Sequence, residues 1–158
     1  NLMQRTCSFV FKNCASAMPE VSKEFIDSLY KSELFVKLQE LVKDSISEME
    51  EYNINKVLDN IIDITEQSNI YIDQEAPWSL KNTDPVRMNE VLYSLVETLR
   101  YIAILLQPFT PGSAAKMLDQ LGVPTNERQF AHLTQEFAIK PLSKIEQPVG
   151  IFPRFEVK

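Results

Sequence analysis

Between residues 84 and 108 the apolar side chains Met88, Val91, Leu92, Leu95, Val96, Leu99, Ile102, Ala103 and Leu106 recur every three or four positions. Wound on a helix, they gather within about 140° of arc, the width of a stripe that faces a core. A strand would show alternation at period two, which is absent here. Asp84 and Pro85 supply a cap and a first helical position, and Pro108 a stop. A long helix with one wide apolar stripe needs partners that cover it.

Those partners are legible on both sides. Residues 1–17 place Leu2, Met3, Cys7, Phe9, Val10, Phe11 and Cys14 on a broad apolar arc, with Asn1, Arg5, Ser8 and Lys12 opposite, and Pro19 as terminator. Residues 22–48 predict a second helix whose apolar positions drift around the axis. Residues 53–69 predict a third, with the stripe Ile54, Val57, Leu58, Ile61, Ile62 and Ile64. That stripe turns polar at Thr65, Ser68 and Asn69, which predicts a hydrogen-bonded junction before Pro77. Thr110 and Pro111 open a last helix ending at Gly122. The chain has 9 prolines, mostly between periodic segments, and only 3 glycines, which disfavours hairpin-rich folds. The expected fold is all-α: a bundle of about five helices over residues 1–122, with residues 123–158 as an irregular C-terminal extension in one domain. That extension is either an arm lying on the bundle or a strap returning to a neighbouring domain.

Several function classes are disfavoured. No apolar run approaches the roughly 18 residues of a membrane span. The opening Asn-Leu-Met-Gln-Arg carries neither an initiator methionine nor a basic leader, so the chain reads as a piece of a longer protein. Cys7 and Cys14 on one helix face would stand about 10 Å apart, beyond the roughly 7 Å reach of a disulfide. They read as reduced, structural thiols of a cytoplasmic protein. One histidine, His132, supports neither a metal site nor a catalytic triad, and no phosphate-cradling glycine loop occurs. The 22 carboxylates sit on helix faces beside lysines, and nearly all of them read as solvated surface. Net charge is −6 with pI near 4.9. This argues against sequence-blind binding to nucleic acid, DNA included, and leaves room for recognition of a few unpaired bases.

Two features fit such recognition. Asn1 and Arg5 lie one turn apart on one helix face; the first is both donor and acceptor, the second a rigid fork of donors. Trp78, the single tryptophan, follows Pro77 where the chain is forced out of a helix. A lone tryptophan is either a core plug or a flat face on which a base stacks, and periodicity leaves both open.

Asn1-x-x-x-Arg5, Asn69-x-Tyr71, Ala76-Pro77-Trp78-Ser79-Leu80-Lys81, Leu106-x-Pro108-x-x-Pro111 and the terminal Phe152-Pro-Arg-Phe-Glu156 occur in one order. This set resembles the anticodon-binding domain of bacterial-type methionyl-tRNA synthetases, of the class I synthetases. The resemblance implies that Asn1, Arg5 and Trp78 contact anticodon bases, Trp78 at the first base, a cytosine. Pro77, Asn69 and Lys12 would support that site. It also implies a methionine-accepting tRNA with a CAU anticodon as partner, and a catalytic domain elsewhere that uses ATP with Mg²⁺. This chain itself would be catalytically inactive and without metal or cofactor. Residues 151–156 would pack back toward the rest of the enzyme; Phe155 departs from the isoleucine frequent in the family. Alternatives are the corresponding domain of an isoleucine, valine, leucine or cysteine enzyme, or a helical protein-interaction module.

Overall fold

The computed structural model describes residues 2–152. Seven α-helices occur among them: α1 (Leu2–Asn13), α2 (Lys23–Leu29), α3 (Glu33–Glu50), α4 (Ile54–Glu75), α5 (Pro77–Thr83), α6 (Pro85–Leu106) and α7 (Pro111–Gln120). Three short 3₁₀ turns follow, at Thr125–Glu127, Phe130–His132 and Gln135–Phe137. The all-α expectation holds. The residues Asn1 and Phe155, and most of 151–156, lie outside the described residues.

The central element is α6. It packs against α1, α4, α5 and α7, while α3 pairs with α4. Its start is as the sequence requires: Asp84 accepts a hydrogen bond from the Arg87 amide at 3.0 Å and Pro85 takes the first position. Burial on α6 exceeds the predicted stripe, because every residue from Val91 to Leu105 is buried. Glu97 and Arg100 are among them, against the expectation that the carboxylates are solvated.

Burying that pair is tolerable only because its atoms are satisfied. Arg100 pairs with Glu97 through both Nε and Nη2, and donates from Nη1 to the His132 carbonyl at 2.8 Å. The Tyr30 hydroxyl donates to Glu97 Oε1 at 2.5 Å, and the Ile139 amide to Glu97 Oε2 at 3.2 Å. Burial pulls the Arg100 pKa down, but Glu97, Tyr30 and Tyr101 more than reverse this and leave it raised. Burial raises that of Tyr30 far above its ordinary value, with the Glu97 charge adding to it.

This network explains one departure from the sequence reading. The helix expected over residues 22–48 is two helices, broken at residues 30–32. Ser32 donates to the Leu29 carbonyl at 2.6 Å and accepts from the Phe35 amide at 3.4 Å, closing one helix and capping the next. The break turns Tyr30 inward to Glu97. Likewise α1 stops at Asn13 rather than Ala17, before Pro19 is reached. The Asn13 side-chain Nδ2 donates to the Phe9 carbonyl at 2.8 Å, and Ala15 and Ser16 take positive φ, 53° and 58°.

The C-terminal segment lies along the bundle. The Met18 amide donates to the Ser143 carbonyl at 2.7 Å, and Ala17 forms an antiparallel bridge with Lys144. Tyr93 Oη donates to the Ile139 carbonyl at 2.7 Å, and Gln120 Nε2 to the Val149 carbonyl at 3.1 Å. Gly122, at φ 68°, closes α7: its amide donates to Asp119 and the Val123 amide to Leu118, the paired bonds of a Schellman turn.

Candidate nucleic-acid interface

The corner where α4, α5 and α1 meet carries most of the polar groups singled out in the sequence. α4 runs to Glu75, six residues past the expected end, because Ile72 continues its buried stripe. The predicted polar junction does not form across helices. Thr65, Ser68 and Asn69 instead donate to the carbonyls of Ile61, Ile64 and Thr65 in their own helix, at 2.8, 2.7 and 2.9 Å.

At Ala76 the backbone turns left-handed (φ 42°, ψ 62°), which stops α4. Pro77, buried, then starts α5 as its first residue. Trp78 therefore stands on the first turn of a short helix rather than on an irregular bend. It is 46% exposed, so it is not a core plug.

Arg5, from α1, reaches this ring. Its guanidinium carbon lies 5.7 Å from the indole centroid, within cation–π range. Its Nη2 also donates to Asp73 Oδ1 at 2.6 Å. Asp73 was not singled out in the sequence; its one signal is the four-residue spacing from Asn69, which puts both on one face of α4. Lys12 is exposed on the last turn of α1, two turns from Arg5 along the same face. Arg5, Trp78 and Asp73 thus meet in contact, Asn69 lies one turn of α4 away, and Lys12 stands apart from the cluster.

This is an open surface. A half-exposed indole offers a stacking plane, Arg5 donates toward base edges or phosphate, and Asp73 accepts. Among the described residues no cluster of three or more histidine, cysteine, aspartate or glutamate side chains is arranged to hold a metal ion. No helix among them is long and apolar enough to cross a membrane.

The chain is similar in fold and sequence to part of aminoacyl-tRNA ligases of the methionine type. The crystal structure of the apo methionyl-tRNA synthetase of Mycobacterium tuberculosis matches with a TM-score of 0.89 at 27% identity, over 100% of this chain and 32% of that one. The methionine–tRNA ligase of Rickettsia bellii is 55% identical over 99% of this chain and 31% of its own length. That of Mesorhizobium japonicum is 37% identical over 98% of this chain and 30% of its own. The family model described as the anticodon binding domain of methionyl tRNA ligase matches residues 24–153. The chain belongs to that family, and spans about a third of the length of the relatives it matches. The family match begins after α1, so the similarity of the Arg5 region rests on the longer pairwise matches.

Proposed function

We propose that this chain reads the CAU anticodon of methionine-accepting tRNA as one domain of a methionine–tRNA ligase. The observation that carries this reading is the meeting of Arg5 and Trp78, from α1 and α5, at an exposed corner of a chain in this family. Trp78 stacks on the first anticodon base. Arg5 and Asn1 address base edges. Pro77 and Asn69 support the corner, and Lys12 meets the phosphate backbone. Residues 1–122 form the reading bundle, and residues 123–158 extend toward the enzyme's catalytic domain. There, ATP and Mg²⁺ drive attachment of methionine. The ligase works in the cytoplasm.

The direct test titrates the chain with two RNA hairpins that differ only in the anticodon, CAU against CAU with its first base changed. Trp78 fluorescence reports binding. Quenching by the CAU hairpin at several-fold lower concentration supports the reading. Equal affinity for both hairpins, or no response to either, overturns it.

A further inference from the structure

Trp78 sits on an excursion, residues 76–83, that leaves α4 and re-enters the bundle at α6. The two ends of that excursion are tied to one residue. The Arg87 amide donates to Asp84, the cap of α6. The Arg87 guanidinium donates to Glu75, the last residue of α4, through two parallel bonds: Nε to Oε2 at 3.2 Å and Nη2 to Oε1 at 2.8 Å. Its third edge, Nη1, meets Glu90 at 3.3 Å. A fork on a carboxylate fixes angle as well as distance, and lysine cannot reproduce it.

The backbone between these ties needs holding. Ala76 adopts a left-handed conformation without the freedom of glycine, a costly geometry that persists only where its surroundings enforce it. α5 is seven residues long, too short to hold its own place. α4 also carries Asp73, which holds Arg5. The distance between α4's end and α6's start therefore sets where the indole between them stands relative to Arg5.

We infer that Arg87 is a positioning residue for Trp78: its fork on Glu75 closes the α4–α6 corner and holds the indole in the place where it meets Arg5. The consequence for recognition rests on the proposed reading of Trp78 as a stacking platform. The role belongs to the fork, and the Glu90 contact contributes nothing to it.

Because Trp78 is the single tryptophan of the chain, its emission reports the corner directly, with no RNA present. Arg87→Ala and Glu75→Gln are expected to red-shift that emission and raise its quenching by acrylamide, while far-UV circular dichroism stays that of the wild type. Arg87→Lys gives an intermediate shift. The double variant shifts no further than either single one, and Glu90→Gln leaves the indole unmoved. Affinity for the CAU hairpin falls roughly three- to tenfold in Arg87→Ala, a part of what a full stack contributes. Unchanged emission and quenching in folded Arg87→Ala overturn the inference, as does a shift in Glu90→Gln equal to that in Glu75→Gln. A displaced indole with hairpin affinity unchanged supports the positioning role and overturns the reading of Trp78 as the stacking platform.

Discussion

Arg5 stands over Trp78, its guanidinium carbon 5.7 Å from the ring centroid, although Arg5 lies near the start of the sequence and Trp78 at its middle. The indole is 46% exposed, so little of its area is removed from water. Trp78→Ala is therefore expected to lower stability by only about 1–2 kcal/mol, below the 3–5 of a buried tryptophan. On the proposed reading, the same change is also expected to remove a base stack of about 1–3 kcal/mol, roughly five- to 150-fold in affinity. Thermal unfolding and hairpin titration of the same sample separate the two. A fall in melting temperature as large as for a core substitution, with affinity unchanged, would mark Trp78 as structural.

The protein is acidic, with net charge −6, and the corner offers few cations. Affinity for the hairpin is therefore expected to fall gently with salt. For the one phosphate contact proposed, Lys12, the slope of log K against log salt is about −0.7 on single-stranded RNA. A slope steeper than about −4 in titrations at several salt concentrations would mean binding through a wider basic surface than this one.

The Glu97–Arg100 pair is fully buried. Arg100→Met leaves the Glu97 carboxylate in the core without its countercharge, at an expected cost of about 3–5 kcal/mol in urea unfolding. Replacing both, as Glu97→Leu with Arg100→Met, removes the stranded charge and is expected to cost less than the single change. A double variant weaker than the single would show that the network's hydrogen bonds to residues 30, 132 and 139 outweigh the charge.

Burial raises the Cys7 thiol from its ordinary value of 9.0 to about 12, and the Tyr101 phenol from 10.0 to about 12. Both folded values lie above the unfolded ones, so the neutral forms favour the fold fully below pH 9. That contribution is lost as pH rises through about 12. The urea midpoint is expected to decline from pH 9 upward, and Cys7 to resist a thiol reagent at pH 8 until the protein is unfolded. Rapid labelling of two thiols in the folded protein at that pH would contradict this.

At Gly122 a Cβ would come within 2.7 Å of the Lys144 carbonyl oxygen, on a backbone at φ 68°. Gly122→Ala is expected to cost about 1–3 kcal/mol and to loosen the segment around Lys144. Limited proteolysis should then cut near residues 140–146 faster than in the wild type. An unchanged cleavage pattern would mean that the turn yields without disturbing that segment.

The bundle was legible because its signals are local. The stripe of α6, the Asp84–Pro85 start and the Pro111 start of α7 all depend on neighbours within one turn. The break at Ser32 was missed, because the drifting apolar positions around it read as one helix packing on several partners. What stayed hidden depends on tertiary partners. Glu97 and Arg100 have the look of a solvated i,i+3 pair, and only Tyr30, His132 and Ile139 turn them into core. At the corner where they meet, Arg5 and Trp78 could be singled out by residue type and by the proline beside the indole. Glu75, Asp73 and Arg87 were not, since their meaning comes from the angle at which α4 and α6 meet. Asn69 shows the converse: its side chain is spent on its own helix, which periodicity does not reveal.

The ties that satisfy Glu97 and Arg100 come from carbonyls and an amide at residues 132, 134 and 139, all later in the chain than α6. During synthesis on the ribosome, α6 emerges before the groups that complete its core. Until the segment through residue 139 has left the exit tunnel, Tyr30 is the one hydrogen-bonding partner outside α6 that the pair has among the described residues. The segment of residues 132–139 thus completes the hydrogen bonding of the α6 core. A nascent chain halted shortly after α7 has nearly all its helices yet lacks a closed core, and it is exposed to chaperones and proteases in a way the finished domain is not.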